Sequence, residues 1–333
     1  MRVAVIGLGA MGRHHARCYT EIPGVTLAAA ADPDPAAMEA AIRLGARAYG
    51  SAEDLLRSED LDAVSVCAPT RQHREIALRC LEAGLHVLVE KPIAATVEDA
   101  EDILRAAERS GRVLMVGHIE RFNPAVRALK RLIAEGRLGT LLQLHFQRLG
   151  LRPRAAPDVP VVVDLGVHDL DLAACLCGAP LEDITALGGR AVLGVPDYAC
   201  LLARCGAAAV TIQLSWVTPI KLRRVIACGT DGYAELNLVT QDLRWFHRDT
   251  GGDEPATFPE FVARYGRGAE AGVALPFPEQ GREPLRIELE EFLGAARFGW
   301  TVPAGGQDAL QALRLALEAS RQIAAAEPVP WPA

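Results

Sequence analysis

Residues 1–12 read MRVAVIGLGAMG, and the reading of this stretch decides the fold. Arg2 to Ile6 form an apolar run that suits a buried strand. Gly7-Leu8-Gly9-Ala10-Met11-Gly12 follows as a G-x-G-x-x-G turn, and Met11 to Thr20 suit a helix. The motif alone is a weak signal, but between a strand and a helix it has a mechanism. Gly7 permits the tight turn, Gly9 lets backbone approach a pyrophosphate, and Gly12 lets helix and strand pack closely. The helix N-terminus presents free N–H groups to phosphates. Asp32 stands 20 residues beyond Gly12, after the strand Val25 to Ala31. A carboxylate there accepts hydrogen bonds from the adenosine ribose hydroxyls and repels a 2′-phosphate, so NAD is expected over NADP. The competing reading makes Asp32 a helix N-cap before Pro33.

Working outward, strands and helices alternate. Leu61 to Ala68 reads as a strand, Arg71 to Ala83 as a helix, and Leu85 to Val89 and Val113 to Val116 as strands. Ser51 with Asp54 and Thr96 with Asp99 are helix-capping patterns, and Gly111 is a helix stop. This alternation predicts an α/β fold: a doubly wound parallel sheet of the Rossmann type over residues 1–120. The pattern then changes. Phe122 to Glu135 reads as a helix, Leu141 to Arg148 as a strand, and Val163 to Cys177 as a helix. Ala207 to Trp216, Arg224 to Ala227 and Ala234 to Leu238 are strand-like without long helices between them. Residues 121–333 are therefore expected to form an α+β domain with an open mixed or antiparallel sheet. Gly251 to Pro284 reads as irregular, and two helices, Leu285–Ala295 and Gln307–Ala325, close the chain.

The 333 residues carry 42 acidic and 35 basic side chains, a formal net charge of −7, which argues against a nucleic-acid partner. The eight cysteines form no C-x-x-C pair, so no metal site is expected. The N-terminal apolar run is too short for a signal segment or a membrane span, which points to the cytoplasm and away from a membrane.

Two further constellations carry chemistry. Glu90-Lys91-Pro92 follows a strand, and in open parallel sheets ligands bind beyond the carboxyl ends of strands. A lysine there can donate to a substrate oxygen; otherwise it is a solvated surface group. Asp164 and His168 stand at i and i+4 and share a helix face. The carboxylate would orient the imidazole as a general base, unless the two are an ordinary surface pair. His118, at a strand end, is placed to line a pocket. His14 and His15 read as facing solvent or phosphate, and His145 and His247 as structural.

With these motifs, and with Cys67-Ala-Pro-Thr70-x-x-His73, the chain resembles the Gfo/Idh/MocA oxidoreductases over nearly its whole length. The resemblance implies NAD as cofactor, held by Gly7, Gly9, Ala10, Met11, Gly12, Asp32, Ala68, Thr70, His73, Glu90 and Lys91. It implies that Lys91, Asp164 and His168 act on a substrate hydroxyl. Gly117 to Pro124, the Arg148 to Arg154 loop, and Ser215 to Lys221 with Arg223 are similar to UDP-N-acetylglucosamine 3-dehydrogenases. That narrower resemblance implies a 3-keto sugar nucleotide product, consumed by a pyridoxal-phosphate aminotransferase. It places His118, Arg121, Asn123, Arg148, Arg152, Arg154, Lys221 and Arg223 at the substrate, with some of the cations neutralising a diphosphate. Alternatives within the family are oxidation of a free polyol, an aldose or a UDP-uronic acid. The alternative from another class is an NAD-binding regulator without turnover. A homo-oligomer, dimer or tetramer, is expected from the family.

Overall fold

In the computed structural model, β1 (Arg2–Ile6) is buried along Val3 to Ile6 and lies in the middle of a six-stranded sheet. The structure describes residues 1–151, 159–247, 256–265 and 272–325. The chain divides into two units, residues 1–122 with 282–316, and residues 123–281 with 317–333.

In the first unit β1 leads through α1 (Ala10–Glu21) to β2 (Thr26–Ala31), α2 (Pro35–Arg43), β3 (Arg47–Tyr49) and α3 (Ala52–Ser58). The chain then returns to β4 (Ala63–Val66), beside β1, and continues through α4 (His73–Glu82), β5 (His86–Glu90), α5 (Val97–Ser110) and β6 (Leu114–Gly117). The strand order is β3-β2-β1-β4-β5-β6, all parallel. The order reverses beside β1, which is where such sheets open a crevice for a ligand. Ser51 and Thr96 cap α3 and α5 as their spacing predicts, and Gly111 ends α5 at φ +63°. Each fully buried valine, leucine or isoleucine of the strands contributes roughly 1.5–3 kcal/mol.

The sequence reading divides the chain once, after residue 120; the chain instead returns to the first unit near its end. Here α9 (Pro284–Phe298) packs against α1, and Leu285, Leu289 and Phe292 join Val3, Val5, Leu8 and Tyr19 in one core. The apolar stripe of α9 is legible at i, i+3, i+4, i+7 spacing, but the stripe does not say which sheet it covers.

The second unit runs through α6 (Pro124–Ala134), β7 (Leu141–Leu149), a π-helical turn (Val162–Gly166), α7 (Val167–Cys177), β8 (Leu181–Gly189), β9 (Tyr198–Cys205), β10 (Ala208–Ser215), β11 (Leu222–Gly229), β12 (Gly232–Asn237) and β13 (Asp242–His247). The stretch expected to be irregular holds α8 (Phe258–Tyr265) and the short strand β14 (Val273–Ala274). The final helix, α10 (Gly306–Ala325), contributes Gln322, whose amide bonds Ala186 N–H at 2.8 Å and the Ile184 carbonyl at 3.0 Å on β8.

These strands form an eight-stranded mixed sheet, β14-β13-β12-β11-β7-β10-β9-β8, in which only the β7–β10 pair is parallel among the pairs described. The period-2 alternation of β9 buries Ala199, Leu201, Ala203 and Cys205 beneath α7, while Leu202 and Arg204 point to the other, open face. The same alternation sorts the cations. Arg148 and Arg223 are register partners on the helix-covered face, whereas Arg224 pairs with Glu235 on the open one.

Candidate active site

The glycine turn of the first unit has the geometry its sequence demands. Gly7 sits at φ +90°, and a Cβ there would lie 2.6 Å from the backbone of Cys67 and Ala68. A Cβ on Gly12 would lie 1.8 Å from the Gly7 carbonyl oxygen, so helix and turn meet only because both are glycine. At Gly9, by contrast, nothing stands within 4 Å, and Gly9 and Ala10 are exposed. The first turn of α1 has neither a side-chain cap nor an acidic residue. Its N–H groups at Ala10 and Met11 are thus available to an anion, which is the fit a dinucleotide pyrophosphate requires.

The Asp32 carboxylate accepts the Leu8 N–H at 2.6 Å and the Asp34 N–H at 2.9 Å. The helix N-cap is Asp34, which accepts from Ala36 N–H, so Asp32 does not serve as that cap. It holds the glycine turn and keeps acceptor capacity for two ribose hydroxyls. Asp32→Ser is expected to lower kcat/KM for NAD by ~10–100-fold, the loss of roughly 1.5–3 kcal/mol from charge-assisted bonds, and to improve tolerance of NADP. Steady-state kinetics with both cofactors check this; equal efficiency of the parent enzyme with NADP would reject the role.

His73 is buried and bridges two loops at the strand ends. Its Nδ1 stands 3.0 Å from the Pro92 carbonyl and its Nε2 2.8 Å from the Ala68 carbonyl. Burial holds its pKa below the ordinary histidine range, although both carbonyls favour the charged ring. Thr70 is half-buried in the same loop. Glu90, buried at the end of β5, accepts from His15 Nε2 at 2.9 Å and from the Lys91 backbone N–H at 3.1 Å. The Lys91–Pro92 peptide is cis, and Lys91 is half-buried. A Cβ on Gly117 of β6 would crowd the Glu90 carboxyl at 3.0 Å.

His15 corrects the sequence reading: it faces neither solvent nor phosphate but is completely buried. A buried chain of hydrogen bonds joins the Tyr19 hydroxyl to Ser65 Oγ at 2.7 Å, Ser65 Oγ to His15 Nδ1 at 3.1 Å, and His15 Nε2 to Glu90 at 2.9 Å. The signal was present in the spacing, since Gly12, His15, Ala16 and Tyr19 form the buried stripe of α1.

In the second unit Asp164 belongs to the π-helical turn and His168 to the first turn of α7; both are half-buried. The helix expected to run evenly from Val163 thus begins with wider winding, and such turns recur at functional sites. The next residue, Asp169, is buried and takes a bidentate bond from Arg148, Nε to Oδ2 at 2.9 Å and Nη2 to Oδ1 at 2.7 Å. Arg148 was expected at the substrate. In the structure it is buried and paired with Asp169 of α7, and breaking such a pair costs roughly 3–5 kcal/mol.

The remaining expected substrate residues each lie within their own unit. Lys221 is exposed. Arg223 donates to the Leu149 and Leu222 carbonyls at 2.5 and 2.9 Å. Asn123 is buried, caps α6 by accepting Ala125 N–H at 3.1 Å, and donates to the Leu238 carbonyl at 3.0 Å. Arg121 donates to the Pro303 carbonyl at 2.7 Å and pairs with Asp308 at 2.8 Å. His118 is buried just beyond β6. Arg152 and Arg154 lie outside the described residues. No helix among the described residues is long and apolar enough to cross a membrane.

Comparison with known proteins matches both units. Residues 1–118 match the NAD-binding Rossmann fold of the GFO/IDH/MocA oxidoreductase family, and residues 126–235 match a GFO/IDH/MocA C-terminal domain. UDP-N-acetylglucosamine 3-dehydrogenase of Acidithiobacillus ferrooxidans is 33% identical over 298 residues, covering 89% of this chain and 88% of that protein. A solved structure of that enzyme, GnnA, is similar with a TM-score of 0.82 at 30% identity over 97% of each chain. Inositol 2-dehydrogenase 2 of Saccharopolyspora erythraea is 39% identical over 204 residues, 60% of each protein. Inositol 2-dehydrogenase of Rhizobium meliloti is 27% identical over 343 residues, 97% of each.

Proposed function

This chain belongs to the Gfo/Idh/MocA family of NAD-dependent oxidoreductases, and from that premise we propose that it oxidises carbon 3 of a UDP-linked N-acetylhexosamine, giving the 3-keto sugar nucleotide. The observation that carries the substrate is similarity to a UDP-N-acetylglucosamine 3-dehydrogenase along 89% of the chain. In this reading Lys91 donates to the substrate oxygen and stabilises its alkoxide character. His168 takes the hydroxyl proton, and Asp164 orients the imidazole. Bound NAD supplies the two-electron acceptor for the hydride. With Arg148 committed to Asp169, the diphosphate falls to Lys221 and Arg223 together with Arg152 and Arg154. Charge-assisted bonds of this kind contribute roughly 1.5–3 kcal/mol each, and a neutral free sugar cannot use them.

The second reading is an inositol dehydrogenase, favoured by 39% identity over 204 residues. The test is NADH formation from UDP-N-acetylglucosamine, N-acetylglucosamine and myo-inositol, with an aminotransferase and glutamate trapping the ketone. The UDP sugar is expected to react where N-acetylglucosamine does not, and product mass to show a 3-amino sugar nucleotide. Turnover of inositol without binding of UDP sugars sinks the sugar-nucleotide reading and leaves the family untouched. NAD binding with no NADH from any sugar would point to a regulator.

A further inference from the structure

Glu288 is a carboxyl group in the wrong place for a carboxylate. It lies on the apolar stripe of α9 with Leu285, Leu289 and Phe292 and is completely buried. Among the described residues, neither of its oxygens has a hydrogen-bond partner. It is not alone, however. An oxygen of Glu288, an oxygen of Glu90 and a ring nitrogen of His15 lie within 4.8 Å of one another. Around it stand His15 and Tyr19 on α1, Cys67 after β4, and Glu90 at the end of β5, which in turn feels the charge of Lys91.

Two carboxyls this close in a dry core cannot both ionise, and their surroundings separate them. Burial pushes Glu90 up, but the His15 bond and charge, with Lys91, bring it below the usual carboxylate range. Glu288 has no such donors. Burial, and then the charge of Glu90, push it well above that range. We propose that Glu288 is a positioning residue for Lys91: it stands beside Glu90 as a neutral carboxylic acid, and its neutrality leaves Glu90 as the single carboxylate that holds the Lys91 backbone. Were Glu288 to ionise, a second charge would repel Glu90 and compete for His15, releasing the anchor at Lys91. This inference rests on the reading of Lys91 as the group at the substrate oxygen.

The sign of the pH dependence follows. A buried acid that keeps its proton stabilises the fold fully below the ordinary carboxylate range, about 4.3, and that stabilisation is lost as pH rises toward the folded pKa. Glu288→Gln, neutral at every pH and of the same size, is therefore expected to gain thermal stability relative to the parent as pH rises. The parent is expected to lose kcat at alkaline pH as Glu288 ionises, whereas Glu288→Gln is expected to retain kcat at neutral pH and to lack that decline.

Infrared spectroscopy reads the proton directly. At neutral pH the parent protein, with exposed carboxyls ionised, is expected to show the C=O stretch of a protonated acid, absent from Glu288→Gln and fading in the parent as kcat falls. Absence of that band from the parent overturns the proposal, and so does an unchanged alkaline limb in Glu288→Gln. Stoichiometric divalent metal in the purified parent, lost in Glu288→Gln, also overturns it, because the three groups would then be ligands. If Glu288→Gln does not fold, Glu288→Met and the parent's own band against pH decide. The band and the stability profile do not depend on Lys91, so failure of the Lys91 assignment would be seen separately, as activity retained in Lys91→Met.

Discussion

Lys91→Met is expected to fold, to bind NAD, and to lose roughly 10²–10⁴-fold in kcat, the usual contribution of a positioned acid–base group. The structural basis is the end of β5. Val87, Leu88 and Val89 are locked in the sheet, and Glu90 turns back to accept the Lys91 N–H. The backbone of Lys91 is thus fixed by groups that the substitution leaves in place. Methionine keeps the apolar stem and removes only the ammonium, so a fall in kcat reports the charge and its protons. Lys91→Arg is not a rescue, because a planar guanidinium cannot place a point donor where the ammonium was. NAD affinity by titration and kcat by NADH formation separate the two roles. Near-normal kcat in Lys91→Met removes Lys91 from the chemistry; NAD binding lost in parallel makes it a cofactor residue instead.

Much of the first unit was legible because its signals are local. Gly12 encodes a contact with Gly7 only five residues away, and the caps at Ser51 and Thr96 close bonds three residues on. The place of Asp32 just beyond β2 was legible through spacing, which stands for the length of one helix and one strand. The sequence reading went astray where a partner lies far along the chain. Arg148 reads as a free cation until α7 brings Asp169 against it. The stripe of α9 is plain, but its partner α1 lies more than 260 residues earlier, as the Arg17–Glu283 pair records. His15 and Glu288 are the instructive cases. Each polar residue sat on an otherwise apolar stripe, and only the fold shows that the two stripes converge on Glu90. The π-helical turn was invisible for another reason: Asp164 and His168 satisfy i, i+4 spacing under either winding.

His168→Ala is expected to cost roughly 10²–10⁴-fold in kcat with little change in thermal stability. Its neighbours explain why the side chain can be removed cleanly. Val167, Leu170 and Leu172 are buried and hold α7, and Asp169 is clamped by Arg148, while His168 itself is half-buried. The helix phase is therefore set by residues on either side of the histidine. In the proposed reading Asp164 orients the imidazole from the π-helical turn, where its N–H and that of Val163 both reach the Pro160 carbonyl, at 3.1 and 3.0 Å. A Cβ at Gly166 would meet Leu214 at 3.1 Å, which keeps this turn close to β10. Asp164→Asn alone is expected to lower kcat by less than His168→Ala does. If Asp164 works only through His168, adding Asp164→Asn to His168→Ala should cost almost nothing further, since residues that act as a unit are non-additive. Full additivity of the two losses would mean that Asp164 acts on substrate or cofactor by itself. Retained turnover in His168→Ala would move the proton to another base, leaving the first unit's assignments standing.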